Sequence, residues 1–305
     1  MRSPRRRRWD GRAGCARETS EHPDTDGADV AAVTADSERP AAKSFSGAPT
    51  TDARQVNSAY HHRVALYAEL GDSTSSQLQS TPSGLTIPVG STEQHGPHLP
   101  LDTDTRIAIA VARAVTARLS GAPGHGVLHW MVAPAVAYGD SGEHQSFPGT
   151  ISIGTDALTT LLLEYGRSAT CWAQRLLFVN GHGGNIAALS RAVGRLRFEG
   201  RDAAWCPCVV AGGDAHAGHA ETSVLLHISP ADVLTDQWRA GNGAPLSDLL
   251  PSMRSGGVAA VSEVGVLGDP TTATAADGER MLAEMVDDCL HRIGRWAPAA
   301  DGMLT

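Results

Sequence analysis

The chain has 305 residues, 41% apolar, 5% aromatic and 19% charged, with a formal net charge of −8. That length holds one large α/β domain or two small ones. The acidic balance argues against nucleic acid as the main partner, and no stretch approaches the ~18 uninterrupted apolar residues of a membrane helix.

Lys43 is the only lysine. The rest of the chain can therefore form neither a lysine Schiff base of the kind pyridoxal phosphate needs nor a Walker phosphate loop. Five cysteines are an odd count and too few for a disulfide framework, which points to reduced thiols in a cytoplasmic protein. Cys206 and Cys208 could form a redox or metal pair, but no second cysteine pair completes a thiolate site, and buried thiols are the simpler reading. Thirteen histidines beside so few aromatics turn attention to metal chemistry.

Residues 1–56 carry Arg5-Arg6-Arg7-Arg8 and then acids, Ser, Thr, Pro and Ala without a helical or strand period. Such a segment buries too little apolar area to offset its ordering entropy, so a disordered tail is expected. It is no secretory signal, because no apolar stretch follows the arginines. One alternative is a basic nucleic-acid arm. Another is that the tail is not translated: Val56 would be a GUG start, leaving residues 57–305 as a single domain.

From Leu85 onward, strand and helix signals alternate. Leu85–Val89 reads as a buried strand. Ile107, Val111, Val115 and Leu119 form a helical stripe over 105–119. Trp130–Val136 is a second apolar run, interrupted by Pro134. Thr155 or Asp156 should cap a helix whose inner face carries Leu158, Leu161, Leu162, Tyr165 and Trp172. Leu176–Val179 is a compact strand, and the helix after it turns Leu189, Val193 and Leu196 inward. A strand over about 203–210 and a helix over about 220–227 follow. A last amphipathic helix bears Met281, Met285, Cys289 and Ile293. This alternation predicts a largely parallel sheet covered on both faces, with ligands beyond the carboxyl ends of its strands.

The polar clusters fall at those ends. In the first, Glu93-Gln94-His95-Gly96-Pro97-His98, Glu93 and His95 are two apart and point to the same side of an extended backbone. Gly96 and Pro97 turn the chain, and Asp104 returns at the next helix start. Carboxylate, imidazole and carboxylate on one loop suit a divalent metal; capping is the plainer role for Asp102 or Asp104 taken singly. His98 would support the site from behind. In Asn180-Gly181-His182-Gly183-Gly184-Asn185, His182 stands where a strand-end ligand should, although a glycine-rich phosphate cradle has the same outline. A third segment, Asp214 to Ser223, holds His216, His219 and Glu221 among small residues; a surface loop with stray histidines is its bland reading. Gly139–Thr150 reads as a polar loop over the substrate, with Glu143 and His144 near the metals or simply solvated.

Taken in order, Glu93–Pro100, Phe147-Pro148-Gly149-Thr150, Asn180–Asn185 and Glu221-Thr222-Ser223 resemble the signatures of the creatininase (creatinine amidohydrolase) family. The likeness spans about 85–227 and extends less closely to the C-terminus. From Asn57 to Thr305 the chain looks most like the creatininase-family peptidases of the mycofactocin system, whose chains begin near the position of Asn57. The resemblance implies a three-layer α/β/α sandwich and a ring-like homo-oligomer, often a hexamer. It also implies two divalent ions (Zn, Fe or Mn) held by Glu93, His95, Asp104, His182 and Glu221. Asp104 would bridge the ions and His216 would be the catalytic histidine. The implied substrate is a modified precursor peptide whose C-terminal Val-Tyr-derived, crosslinked fragment is released. Creatininase itself has a glutamate at its metal site where this chain has Gly184, so the metal surroundings should differ and creatinine is disfavoured as substrate. The alternatives are a hydrolase of creatinine-like rings or formamides, and a non-catalytic metal-dependent binding protein.

Overall fold

Four strands form one sheet: β1 (Ser83–Val89), β2 (His129–Val132), β3 (Arg175–Asn180) and β4 (Ala203–Pro207). Their order is β2-β1-β3-β4 and every pairing is parallel. This computed structural model describes residues 68–79, 81–121 and 128–305. The expected tail over 1–56 and the start near Asn57 lie outside the described residues.

The apolar strands are continuous runs because both faces of the sheet are covered. Successive side chains alternate between two cores. Leu177, Val179, Ala204 and Cys206 face one, with Ile107, Val111, Val115 and Leu119 of α2 (Thr103–Gly121). The same core takes Val224 and Leu225 of α5 (His219–Ile228) and Met281, Met285, Cys289 and Ile293 of α7 (Ala275–Arg295). Leu85, Ile87, Leu176, Phe178 and Trp205 face the other, against α3 (Gly154–Ala169) and α4 (Ile186–Phe198). The chain is thus the expected α/β/α sandwich. Two smaller helices, α1 (Ser75–Leu78) and α6 (Leu246–Gly256), lie outside these layers.

Both sheet edges are covered, which removes unpaired backbone from solvent. At β2, Val132 N–H donates to Ala68 O at 2.6 Å; at β4, Trp205 N–H donates to Gly302 O at 3.0 Å and Trp205 O accepts Leu304 N–H at 2.9 Å. The C-terminal residues are therefore part of the sheet.

Several boundaries differ from those expected. β2 stops at Val132: Ala133 N–H still bonds Thr86 O, but the next bond to β1 comes three residues on, from Val136 N–H to Pro88 O, and pairing resumes only as an isolated bridge between Val89 and Val136. β4 ends at Pro207, with Cys208 N–H making one last bond to Asn180 O. Helix α3 begins at Gly154, and no side chain caps it, so neither Thr155 nor Asp156 is the cap. Of its five expected inward residues, Leu158 and Leu162 are fully buried and Tyr165 packs beside them, but Leu161 is 40% and Trp172 41% exposed. Leu161 sits one residue off the buried stripe, and Trp172 lies beyond the helix end. Helix α6 has no counterpart in the sequence reading. Pro251 stands inside it and Leu249 is its one buried residue, so it offers neither clean propensity nor a stripe.

Leu162→Ala should cost about 2–5 kcal/mol by opening a cavity between α3 and the sheet, whereas Leu161→Ala should stay within about 0.5 kcal/mol. Denaturant unfolding of the two variants measures this; equal losses would contradict the assigned faces.

Candidate metal centre

The chain leaves β1 at Val89 and runs through Ser91–Gln94 without helix or strand, with Glu93 and His95 both wholly buried. Gly96 then adopts a left-handed φ of +66°, where a Cβ would lie 2.6 Å from Val266 Cγ2; only glycine fits that turn. Asp104 occupies the first turn of α2 and His182 lies two residues past β3. Asn180 Nδ2 donates to His182 O at 2.7 Å and holds the turn. Glu221 sits in the first turn of α5, where Ala217 N–H donates to its Oε2 at 2.7 Å. Ala217 is itself at φ +50°, a conformation costing a non-glycine residue roughly 1–2 kcal/mol. That turn lets His216 and Glu221 face the same point. Asp104 and Glu221 are both placed at helix N-termini, whose dipoles favour negative charge.

These segments converge. Asp104 Oδ1 lies 3.1 Å from His95 Nε2, and Oδ2 lies 3.1 Å from His182 Nδ1 and accepts Ser91 Oγ–H at 2.7 Å. Asp104 therefore does not cap its helix; its oxygens serve the cluster. Glu93 Oε2 is 3.3 Å from His182 Nε2, and Glu221 Oε2 is 3.8 Å from His95 Nε2. The five residues expected as ligands are thus brought together. Glu93-His95-Asp104, His95-His216-Glu221 and Glu93-His144-His216 each place one donor atom per residue within 4.8 Å of the others.

The charges here are strongly displaced. Burial lifts Glu93 and Glu221 to about 7. For His95 and His182 burial works against the cation, but the surrounding carboxylates overcome it and hold them up at about 9 and about 10. Asp104 is buried too, yet the two imidazoles keep its carboxyl well below the usual range. Burial, reinforced by neighbouring cationic histidines, drives His144 down to about 3 and His216 well below its ordinary value. Those two rings are neutral near pH 7.

The remaining expected residues divide. His98 lies behind the site, buried, with Nε2 2.8 Å from Thr222 Oγ1, and burial lowers it to about 4. His144 is inside, its Nε2 3.3 Å from Glu93 Oε1; Glu143 is at the rim, its Oε1 3.6 Å from His182 Nε2. His219 points away and pairs with Thr272 at 2.9 Å. At Gly184 a Cβ would meet Asp140 O at 2.2 Å, His182 Nε2 at 2.4 Å and Glu143 Oε1 at 3.0 Å. The Glu143 carboxylate thus reaches toward the space that a side chain at Gly184 would enter. Gln94 and Ser91 touch the cluster although neither was singled out from the sequence; their place inside the motif was the only signal. Cys206 does not pair with Cys208: its Sγ lies 2.8 Å from Cys289 Sγ between β4 and α7.

A profile of the family described as "Creatininase: Creatinine amidohydrolase" matches residues 71–293. This chain belongs to the creatininase family. Among curated relatives, a mycofactocin precursor peptide peptidase from Mycobacterium tuberculosis (strain CDC 1551 / Oshkosh) is 71% identical over 251 residues, 82% of this chain and 100% of the relative. Another of that name, from Mycobacterium ulcerans (strain Agy99), is 69% identical over 250 residues, again 82% and 100%. A solved creatinine amidohydrolase (creatininase) has TM-score 0.62 at 24% identity, covering 77% of this chain and 100% of its own. A mutant creatininase of Zn-Zn type gives 0.62 at 24%, covering 76% and 99%. A structure described as "Creatininase Mn" gives 0.61 at 24%, covering 76% and 100%. At such identity the solved structures speak to the fold alone, and the fold agrees.

A divalent ion needs imidazole nitrogens free of protons, while His95 and His182 hold theirs up to about 9 and about 10. Zn2+ binding near neutral pH should therefore release protons, and its apparent affinity should rise as pH increases toward 9. Titration calorimetry in buffers of different ionisation enthalpy measures this; binding without proton release contradicts the ligand set.

Proposed function

We propose that this chain is a metal-dependent peptidase that hydrolyses an amide bond in the modified mycofactocin precursor peptide and releases its C-terminal Val-Tyr-derived fragment. The observation that carries this reading is the 71% identity, over 82% of this chain and the whole of the relative, to a protein named mycofactocin precursor peptide peptidase. The chemistry of the site supports hydrolysis.

The donor set fits two divalent ions. Both Glu93 carboxylate oxygens are buried and lack a hydrogen-bond partner among the described residues; His182 at 3.3 Å offsets part of that charge, and a bound cation would offset the rest. The contacts between candidate donors run from 3.1 to 3.8 Å. That is near the ~3.3–3.6 Å separating two ligand atoms on one tetrahedral ion with bonds of ~2.0–2.2 Å. Glu93, His95, Asp104, His182 and Glu221 would hold the ions. Mixed oxygen and nitrogen donors suit Zn, Mn and Fe alike. Bound there, such ions would supply Lewis acidity and a water of lowered pKa.

The side chains supply the rest. His216, neutral and 7% exposed, takes a proton from the attacking water and passes it to the leaving amine. Glu143 and His144 form the wall against which the substrate lies. Beside Glu221 opens a cavity of about 910 Å3, walled by Gly181, Gly183, Val210, Leu246 and Leu267. It is at the upper end of the ~300–1,000 Å3 common for ligand pockets. Such room suits the end of a modified peptide better than a small cyclic amide. A ring-like homo-oligomer belongs to the same reading, and mass photometry reads its size directly.

Incubating the Zn2+-, Mn2+- or Fe2+-loaded chain with the modified precursor and following products by mass spectrometry tests the function. Release of the C-terminal fragment, blocked by a chelator, is the expected result. An intact precursor together with hydrolysis of creatinine-like rings or formamides would overturn the substrate. Glu93→Ala, His95→Ala and Asp104→Ala should each abolish turnover and lower metal content. His216→Ala should keep its metal and lose about 10^2–10^4-fold in kcat; unchanged turnover removes its role.

A further inference from the structure

Gln94 lies between Glu93 and His95 and is 5% exposed. Its side-chain amide is pinned at both ends by main-chain groups of unambiguous polarity. Oε1 accepts Gly96 N–H at 2.8 Å, and Nε2 donates to Gly265 O at 3.1 Å. The amide therefore has one orientation. Its Nε2 is also 2.8 Å from His144 Nδ1. An amide nitrogen only donates, so His144 Nδ1 accepts and the proton of the neutral ring sits on Nε2. That Nε2–H points into the site, 3.3 Å from Glu93 Oε1 and 3.9 Å from Glu143 Oε1.

The main chain of the same residue sets the second ring. His216 Nε2 is 2.9 Å from Gln94 O. A carbonyl oxygen only accepts, so Nε2 carries the proton and Nδ1 keeps its lone pair. Nδ1 lies 3.8 Å from Glu93 Oε1. The 3.1 Å approach of Gln94 Nε2 to His216 Nε2 then sets two donors side by side without a bond between them, since both amide hydrogens are already directed to His144 and Gly265. The two rings, centroids 4.4 Å apart, offer opposite chemistry toward the same carboxylate: an N–H from His144 and a lone pair from His216.

We propose that Gln94 is the positioning residue that sets this pair, with His144 as hydrogen-bond donor to the substrate carbonyl oxygen and His216 as proton acceptor. The inference rests on the hydrolytic reading above. The proton count closes within it. The attacking water's oxygen bonds to the carbonyl carbon and loses a proton to His216 Nδ1. The imidazolium keeps its Nε2–H bond to Gln94 O. As the C–N bond breaks, the proton on Nδ1 passes to the leaving nitrogen. His144 gives up no proton; its N–H meets the oxygen on which negative charge develops.

Gln94→Glu tests this with almost no change in shape. A carboxylate accepts only, so it draws the His144 proton to Nδ1. The Zn2+-loaded full chain is read by long-range 1H–15N histidine spectra, assigned through His144→Gln and His216→Gln, and by kinetics on the modified precursor. The wild type should show both rings protonated at Nε2. Gln94→Glu should place a proton on His144 Nδ1 and lose at least about a hundredfold in kcat, with KM little changed. A wild-type His144 protonated at Nδ1, or a Gln94→Glu variant with wild-type kcat, overturns the inference. If Gln94→Glu does not fold, the wild-type tautomers decide alone. If the wild type leaves the precursor intact, the substrate reading fails while the tautomers still judge Gln94.

Discussion

Burying carboxylates and imidazoles together at one end of a parallel sheet is the constraint on which the rest of this protein depends. Glu93, His95 and Asp104 are almost wholly removed from water. An isolated buried charge costs several kcal/mol even after the protein relaxes around it. The arrangement persists only because opposite charges stand within 3.1–3.8 Å of one another, and because the site calls for further positive charge. The displaced pKa values express the same tension: carboxylates pushed up by burial, and histidines held cationic by carboxylates. A site under that tension is suited to exchanging protons for added positive charge.

The fold supplies rigidity where the tension is greatest. Two cores clamp the sheet from both faces, and main-chain segments at each edge close it. Three strand ends then deliver their loops to one point. Helices α2 and α5 start there, so their N-terminal dipoles favour the carboxylates of Asp104 and Glu221. Local backbone departures cluster in the same place: the left-handed turns at Gly96 and Ala217 aim neighbouring side chains inward. Such strain survives only where packing on all sides over-determines it.

Around this charged centre lies a layer of neutral chemistry. His144 and His216 are kept uncharged by burial and by their cationic neighbours. Gln94, fixed by the main chain at Gly96 and Gly265, gives each ring a defined tautomer. A cationic pair thus stands beside the carboxylates and a neutral pair one step away. Relatives 69–71% identical along their full length carry the name of a peptidase, and the family to which this chain belongs is described as creatinine amidohydrolase.

By itself the sequence determined whatever depends on near neighbours along the chain. The stripe Ile107-Val111-Val115-Leu119, the strand Leu176–Val179, and the same-side placement of Glu93 and His95 follow from periods of 3.6 and 2. The helix-stripe rule misplaced Leu161 and Trp172, because a stripe's edge is defined only by what packs against it. The tertiary structure alone decided the rest. Gln94 meets His144 and His216 across sequence separations of 50 and 122 residues, and Cys206 meets Cys289 across 83. No local pattern encodes such contacts, since they depend on how separate strand ends and helices pack. Periodicity told which residues face inward, and packing told which of those residues meet.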